Sequence, residues 1–285
     1  MSDIIWLASY PKSGNTWFRT FISNLLKEKD EDVSINSLKT DGIFSSRPIL
    51  DSIIGVESSN MTSEEIDRLL PRVYNHIAEK ITRNLYIKVH DAYTYLPDES
   101  PVLGTCHARG IYILRNPLDV AVSYANHSSR ELDAVINNMG NENFCMCRQK
   151  AELPIQLRQI LLSWSAHVES WSSAKGLPVH VIRYEDMKET PLETFRKAVE
   201  FIGLTYSDDQ IEEALRLSSF DKLKEQEKQI GFKEKPSKAP SFFREGKVGD
   251  WKNHFTDEQS ARIIAAHGDT MRKFGYLDES GKPVY

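Results

Sequence analysis

A short loop between an apolar run and a helical pattern carries the first residues that could do chemistry. In IIWLASYPKSGNTWFR, a strand should end at Ser9 and a helix should begin near Trp17. The N–H groups at a helix start, a glycine at position 14 and the Lys12 ammonium would together form an anion site. The stretch lacks the G-x-x-x-x-G-K-[ST] spacing that surrounds two adjacent phosphates. We therefore predict a P-loop-like site for one phosphate-like group, although Lys-Ser-Gly also occurs in ordinary turns.

A second stretch, GIYILRNPLDVAVSY, could bind another phosphate. Its strand ends at Arg115, and Ser123 follows eight residues later. Asn116 and Pro117 suit the start of a helix, so Ser123 should lie just over two turns into that helix. A guanidinium fork suits phosphate, and a serine hydroxyl adds one donor. The alternative is that Arg115 pairs with a neighbouring carboxylate.

A third stretch, YIKVHD, could supply a general base. Lys88 and His90 are two residues apart, so their side chains should share one face of a strand. They lie at its carboxyl end, where open α/β sheets bind ligands. A histidine there could take a proton from an acceptor hydroxyl. The alternative is a histidine with a purely structural role.

A basic, polar segment at residues 222–252 contains the fourth stretch, FFREGKVGDWKNHF. It carries Arg244, Lys247 and Lys252 together with two glycines. Alone it could be a solvated, flexible loop, because long irregular segments often are. Beside the other three stretches it could clamp a bound phosphate, so we predict a mobile lid.

The elements that must position these residues follow a regular pattern. Apolar runs rich in Ile, Val and Tyr are separated by longer segments with helical periodicity, which indicates a parallel sheet crossed by helices. The predicted strands are Ile4–Ser9, Leu85–His90, Gly110–Arg115 and Val179–Tyr184, and the predicted helices span 16–29, 63–83, 117–135, 154–175 and 256–274. The chain shows no repeat and no long linker. We therefore predict one α/β domain over residues 1–285.

Composition limits the possible functions. With 285 residues, 40% of them hydrophobic, the chain can bury a core, and its net charge of −5 argues against nucleic-acid binding by bulk electrostatics. The amino terminus lacks the features of a signal peptide, and no run approaches the ~20 apolar residues of a membrane span. The three cysteines do not suit a disulfide framework or ordinary zinc-ligand spacing. We expect a cytoplasmic protein that binds neither membranes nor metal.

The four stretches, in this order, resemble the cytosolic-type sulfotransferases that use 3′-phosphoadenosine 5′-phosphosulfate (PAPS). YPKSGNTW is similar to the family's 5′-phosphosulfate loop, and RNPLDVAVSY is similar to its 3′-phosphate motif. The resemblance implies that Trp17 and Tyr184 contact the adenine, and that Ser218 and Phe220 of LSSF help to enclose it. It implies phosphate or phosphosulfate contacts for Lys12, Ser13, Gly14, Asn15, Thr16, Arg115 and Ser123.

The closing loop and the acceptor side match the family less completely. REGKVGDWK matches the family's Arg-Lys-Gly at Arg244 and Gly246, but Glu245 replaces the lysine. KVH is similar to the family's Lys-x-His, which implies His90 as the catalytic base and Lys88 as a stabiliser of the sulfuryl group. The family's short dimerisation motif is not evident, so a monomer and a homodimer both stay open.

The resemblance implies transfer of a sulfuryl group to a hydroxyl, or to an amine, of a small molecule. Lys12 would contact the bridging oxygen, and no metal is required. Aromatic residues near the expected site could line the acceptor pocket; they are Tyr93, Tyr95, His127 and Phe144. Two alternatives remain: a small-molecule kinase with a divergent phosphate loop, which would need magnesium, and a non-catalytic nucleotide-binding protein.

Overall fold

A four-stranded parallel sheet forms the centre of the fold in the computed structural model, which describes residues 2–29, 31–147 and 154–285. In spatial order, its strands are β2 (Leu85–Val89), β1 (Ile4–Ser9), β3 (Ala108–Leu114) and β6 (Val179–Arg183). The central strand β1 is almost fully buried because five consecutive apolar residues, Ile4–Ala8, occupy it. A separate antiparallel pair consists of β4 (Cys145–Met146) and β5 (Gln159–Ile160). The predicted fold class is confirmed.

Helices connect the strands, and several begin at side-chain caps. Thr62, Ser207 and Thr256 each form a capping box with the residue three positions later, which satisfies N–H groups that a helix start leaves without partners. The helices are α1 (Asn15–Leu25), α2 (Arg47–Ile54), α3 (Ser63–Lys80), α4 (Pro117–Ser128), α5 (Leu132–Met139), α6 (Trp164–Ser172), α7 (Tyr184–Glu189), α8 (Pro191–Phe201), α9 (Asp208–Leu217), α10 (Phe220–Ile230) and α11 (Asp257–Lys273). Among the described helices, none has the length and apolar character needed to span a membrane.

The contacts within the described chain divide it into two compact units. The first unit comprises the residues up to Tyr10 together with Asp41–Tyr112 and Glu142–Val181. The second unit comprises Pro11–Thr40, Ile113–Asn141 and Ile182–Tyr285. The loop that follows β1 therefore belongs to the second unit, and β2 with the residues after it belongs to the first.

The helix predicted over residues 154–175 is wrong in its first half. Gln159 and Ile160 form β5, and Leu162 has a positive φ of 59°, which interrupts any helix. Ser163 then caps α6, where its side chain accepts a hydrogen bond from the Ala166 N–H at 3.2 Å. Hydrophobic spacing alone could not distinguish this strand and turn from another helical turn.

The other predicted helices also end earlier than expected. The helix predicted over 117–135 divides into α4 and α5, because Ser129 adopts a left-handed conformation with φ 51°. The helix predicted over 16–29 ends at Leu25. The four predicted strands agree with the observed ones to within two residues at each end.

The segment predicted as a lid contains more regular structure than its composition indicated. Residues 220–230 form α10, which buries Leu223 against Ile35, Phe232 and Phe243. The Glu227 carboxylate of α10 accepts hydrogen bonds from the N–H groups of Phe242 and Phe243 at 2.7 and 2.9 Å. A half-buried carboxylate and an aromatic cluster therefore hold the chain after α10.

Candidate functional site

The loop after β1 has the backbone geometry of an anion site. Lys12 has a φ of 71° and Gly14 a φ of 108°, and α1 begins directly at Asn15. Positive φ values beside a helix start turn successive N–H groups toward one point, where they can surround an anion. The Ser13 side chain is buried, and its Oγ has no hydrogen-bond partner among the described residues. A buried hydroxyl in this position indicates a ligand that would complete its hydrogen bonding.

Arg115 joins this loop to the segment after α10. Its guanidinium donates to the Lys12 carbonyl at 3.3 Å and to the Lys247 carbonyl at 2.9 Å. It also lies over the Tyr184 ring, 4.3 Å from the centroid. The Arg115 and Asp119 side chains approach only to 4.0 Å, and Asp119 instead accepts the N–H groups of Gly249 and Trp251. The carboxylate alternative for Arg115 is thus met only by a long ion pair with Asp119.

Aromatic residues beside the loop form a candidate site for a nucleobase. Trp17 lies 5.7 Å from Tyr184 between ring centroids, in an edge-to-face arrangement. The Tyr184 hydroxyl donates to the Gly246 carbonyl at 3.0 Å, and a Cβ on Gly246 would stand 2.6 Å from the Phe220 ring. The structure therefore brings together three of the residues predicted to contact adenine or enclose it, Trp17, Tyr184 and Phe220, with Gly246 of the predicted closing loop.

The other residues of the predicted donor site and closing loop have varied environments. Ser123 is half-buried on α4. Ser218 directly follows α9 and is fully buried, and its hydroxyl donates to the Ala214 carbonyl of that helix at 2.7 Å. The Arg244 guanidinium is ion-paired with Asp250, while Glu245 pairs with Lys247 at 3.1 Å. The Lys247 ammonium lowers the pKa of Glu245, so this residue keeps its negative charge where the family has a lysine.

The histidine predicted as a base lies in the first unit, directly after β2. The β1–β2 register pairs Ala8 with Val89, so Ser9 and His90 are neighbours at the ends of their strands. His90 Nδ1 lies 2.8 Å from the Ser9 carbonyl oxygen. Because a carbonyl only accepts, Nδ1 carries the proton and Nε2 is the ring atom that can accept one. Lys88 is half-buried on the same strand.

The residues predicted to line an acceptor pocket are divided between the two units. Tyr93 and Tyr95 are 5.6 Å apart between ring centroids, and both line a cleft of about 700 Å³ in the first unit. Burial raises the pKa of Tyr93 to about 12. Phe144 lies beside β4, where its carbonyl accepts the Leu161 N–H at 2.9 Å. His127 belongs to the second unit, where its ring lies 5.4 Å from Phe242.

Comparison with known proteins decides the family. A family model described as a sulfotransferase domain matches residues 2–275. The chain belongs to the sulfotransferase family. Flavonol 3-sulfotransferase of Flaveria bidentis is 29% identical to this sulfotransferase over 273 residues, which cover 91% of this chain and 78% of the relative. Sulfotransferase 1B1 of Canis lupus familiaris is 28% identical over 284 residues, which cover 94% and 83%. The resemblance and the transferase class are therefore confirmed.

Solved structures show the same fold. Mouse sulfotransferase SULT7A1, complexed with PAP, matches 98% of this sulfotransferase and 86% of its own chain, with a TM-score of 0.58 and 23% identity. Retinol dehydratase, in a complex with retinol and PAP, matches 95% and 81%, with a TM-score of 0.62 and 18% identity. Among the described residues of the sulfotransferase, no group of three His, Cys, Asp or Glu side chains could hold a metal ion.

Two residues at this site, Lys188 and Phe242, were not predicted from the sequence. The Lys188 ammonium lies 5.4 Å from the Trp17 ring centroid and 6.0 Å from that of Phe220, and burial lowers its pKa. Lys188 follows Tyr184 by four residues on α7, so one-turn spacing could have indicated it. The Lys12 ammonium lies 3.7 Å from the ring centroid of Phe242, a contact between residues 230 positions apart that no local pattern predicts.

Proposed function

We propose that this sulfotransferase moves a sulfuryl group from PAPS to a hydroxyl, or to an amine, of a small-molecule acceptor and releases 3′-phosphoadenosine 5′-phosphate (PAP). The observation that carries the proposal is the second unit's combination of an anion loop, a linked arginine and an aromatic site. A donor with a phosphosulfate, a second phosphate and a base needs these three features. Both solved structures described above are complexes with PAP.

The donor would be held by residues of the second unit. In this proposal Lys12, Ser13, Gly14, Asn15 and Thr16 bind the 5′ end. Ser13 supports this assignment because its buried hydroxyl has no hydrogen-bond partner among the described residues. Arg115 and Ser123 bind the 3′-phosphate, joined by Arg244 and the backbone at Gly246. The adenine lies at Trp17 and Tyr184, with Ser218 and Phe220 beside them.

The proposed chemistry is in-line transfer with His90 as the general base. His90 Nε2 takes the acceptor's proton as the new bond between acceptor oxygen and sulfur forms. The bond between sulfur and the bridging oxygen breaks, and PAP leaves with that oxygen. Lys12 and Lys88 stabilise the negative charge on the bridging and sulfuryl oxygens. Positioning and charge stabilisation dominate, as in phosphoryl transfer, and this scheme routes no step through a metal.

The acceptor is proposed only as a chemical class. One relative is named for a flavonol, and a solved neighbour contains retinol; both are hydroxyl-bearing small molecules. We propose Tyr93, Tyr95, His127 and Phe144 as residues that line the acceptor site. We also propose a cytoplasmic location, since relatives from Arabidopsis thaliana are named cytosolic sulfotransferases.

Calorimetric titration without metal tests the donor assignment. We expect PAP to bind at least about 100-fold more tightly than AMP, because charge-assisted bonds to its 3′-phosphate each contribute about 1.5–3 kcal/mol. ATP lacks the 3′-phosphate and should bind as weakly as AMP. A preference for ATP that requires magnesium would favour a small-molecule kinase. Tight PAP binding without transfer to any acceptor would favour a non-catalytic nucleotide-binding protein.

Replacing Gly14 with alanine should weaken PAP binding about tenfold. A Cβ at position 14 would stand 2.7 Å from Tyr184 Cδ2, so the ring proposed to contact adenine must move. The substitution also costs about 1–2 kcal/mol of stability, because φ is 108° there. Gly176→Ala is the matched control, with a φ of 78° and no described atom within 4 Å of its Cβ. Equal PAP affinities in the two folded variants would contradict the proposed adenine site.

A further inference from the structure

Three side chains of α6 hold the backbone that follows β2. His167 Nε2 lies 3.0 Å from the His90 carbonyl oxygen, and Trp171 Nε1 donates to the Asp91 carbonyl at 2.9 Å. The Ser170 Oγ accepts the Tyr93 N–H at 3.0 Å. His167, Ser170 and Trp171 follow the i, i+3, i+4 spacing, so they lie on one face of the helix. That face thus contacts the main chain of residues 90–93 at three points.

The chemistry of His167 fixes the direction of its hydrogen bond. His167 is fully buried, and burial lowers its pKa to about 4, so the imidazole is neutral at physiological pH. A carbonyl oxygen cannot donate, so Nε2 must carry the single ring proton. Nδ1 is therefore an acceptor, and the Tyr112 hydroxyl 2.9 Å away donates to it. The buried Tyr112 hydroxyl thus holds His167 in the tautomer that donates to the His90 carbonyl.

The ring and the main-chain carbonyl of His90 are held by different elements. Its ring donates from Nδ1 to the Ser9 carbonyl, on the paired strand β1. Its own carbonyl accepts from His167, on α6. With both the ring and the main chain held, the orientation of the ring is restricted, and Nε2 keeps one direction. A general base needs such a fixed direction, since a misplacement of about 1 Å can cost about 100-fold in rate.

We infer that His167, Ser170 and Trp171 are positioning residues for His90 and that they set the orientation of the proposed base through the backbone of residues 90–93. The inference rests on the proposed function, because only that function makes His90 a base. The inference also predicts that two serines of α6, Ser170 and Ser172, differ in their effect on His90. Ser172 lies on the same helix, and its buried Oγ has no hydrogen-bond partner among the described residues, so Ser172 should have no such effect.

Substitutions on α6 test the inference through turnover. His167→Leu should lower kcat about 100-fold, and Ser170→Ala should lower it about three- to tenfold, with an unchanged Kd for PAP. His167→Gln should recover most of the loss, since its amide N–H can donate from a similar position. Ser172→Ala should match the wild type. An unchanged kcat in folded His167→Leu would overturn the inference; if that variant fails to fold, equal kcat values for Ser170→Ala and Ser172→Ala would overturn it.

An NMR measurement separates this inference from the proposed function. ¹⁵N shifts of the His90 ring report its tautomer without any substrate. The wild type should show the proton on Nδ1 alone, and Ser170→Ala should show a mixture, because a looser backbone releases the ring from the Ser9 carbonyl. If the wild type transfers no sulfuryl group but these shifts change as expected, the positioning stands and the proposed function fails. If the shifts are the same in Ser170→Ala and Ser172→Ala, the positioning fails.

Discussion

Replacing His90 with alanine is expected to lower turnover by about 10²–10⁴-fold, the usual contribution of a general base. The acceptor oxygen would then have to lose its proton to water while the bond to sulfur forms. PAP affinity should stay within about twofold of the wild type, since the residues proposed to bind the donor belong to the second unit. A steady-state assay with a phenolic acceptor, combined with calorimetry, separates the two effects.

His76→Ala is the matched control for this variant. His76 is an exposed histidine on α3 in the first unit, so its loss removes an imidazole without touching the strand ends. The wild type and His76→Ala should lose turnover in mildly acidic solution, where a protonated imidazole can no longer accept a proton. His90→Ala should lose that dependence. Full turnover in His90→Ala, or an identical pH profile, would remove His90 from the mechanism.

The sheet and the anion loop could be predicted because their causes are local. Buried parallel strands need uninterrupted apolar runs, and Ile4–Ala8 is such a run, followed at once by the polar Ser9. The glycine at position 14 is required where φ is 108°, so the turn is visible in the sequence. The proposed donor contacts of individual residues rest on the resemblance to a family, because a lysine or an arginine alone does not identify its ligand.

The elements and contacts that were not predicted correctly have causes that sequence periodicity cannot detect. Leu162 is apolar and fits a helical stripe, yet it adopts a positive φ, and β5 pairs with a strand that precedes it in the chain. In α10, eight of the eleven residues are charged or amide side chains, so its one buried residue, Leu223, gave no visible stripe. The contacts of His167 with His90 and of Trp171 with Asp91 join positions about 80 residues apart. Such contacts follow only from the folded chain.

The second large effect is expected at Arg115, where lysine should remove the discrimination between PAP and AMP. The Arg115→Lys variant keeps the positive charge but loses the planar fork that can donate two parallel hydrogen bonds to a phosphate. Since hydrogen bonds to charged groups contribute about 1.5–3 kcal/mol each, PAP affinity should fall about 10–100-fold. AMP has no 3′-phosphate, so its affinity should hardly change.

Lysine is a better replacement than alanine because Arg115 also forms hydrogen bonds within the protein. Its guanidinium also donates to the carbonyls of Lys12 and Lys247, so alanine would leave both carbonyls without this donor and could disturb the loop itself. Arg109→Lys is the matched control, because Arg109 is ion-paired with Asp3 at 3.1 Å in the first unit. Calorimetry on both variants decides the matter. If Arg115→Lys binds PAP as tightly as Arg109→Lys does, or if its affinities for AMP and PAP fall equally, Arg115 does not recognise the 3′-phosphate.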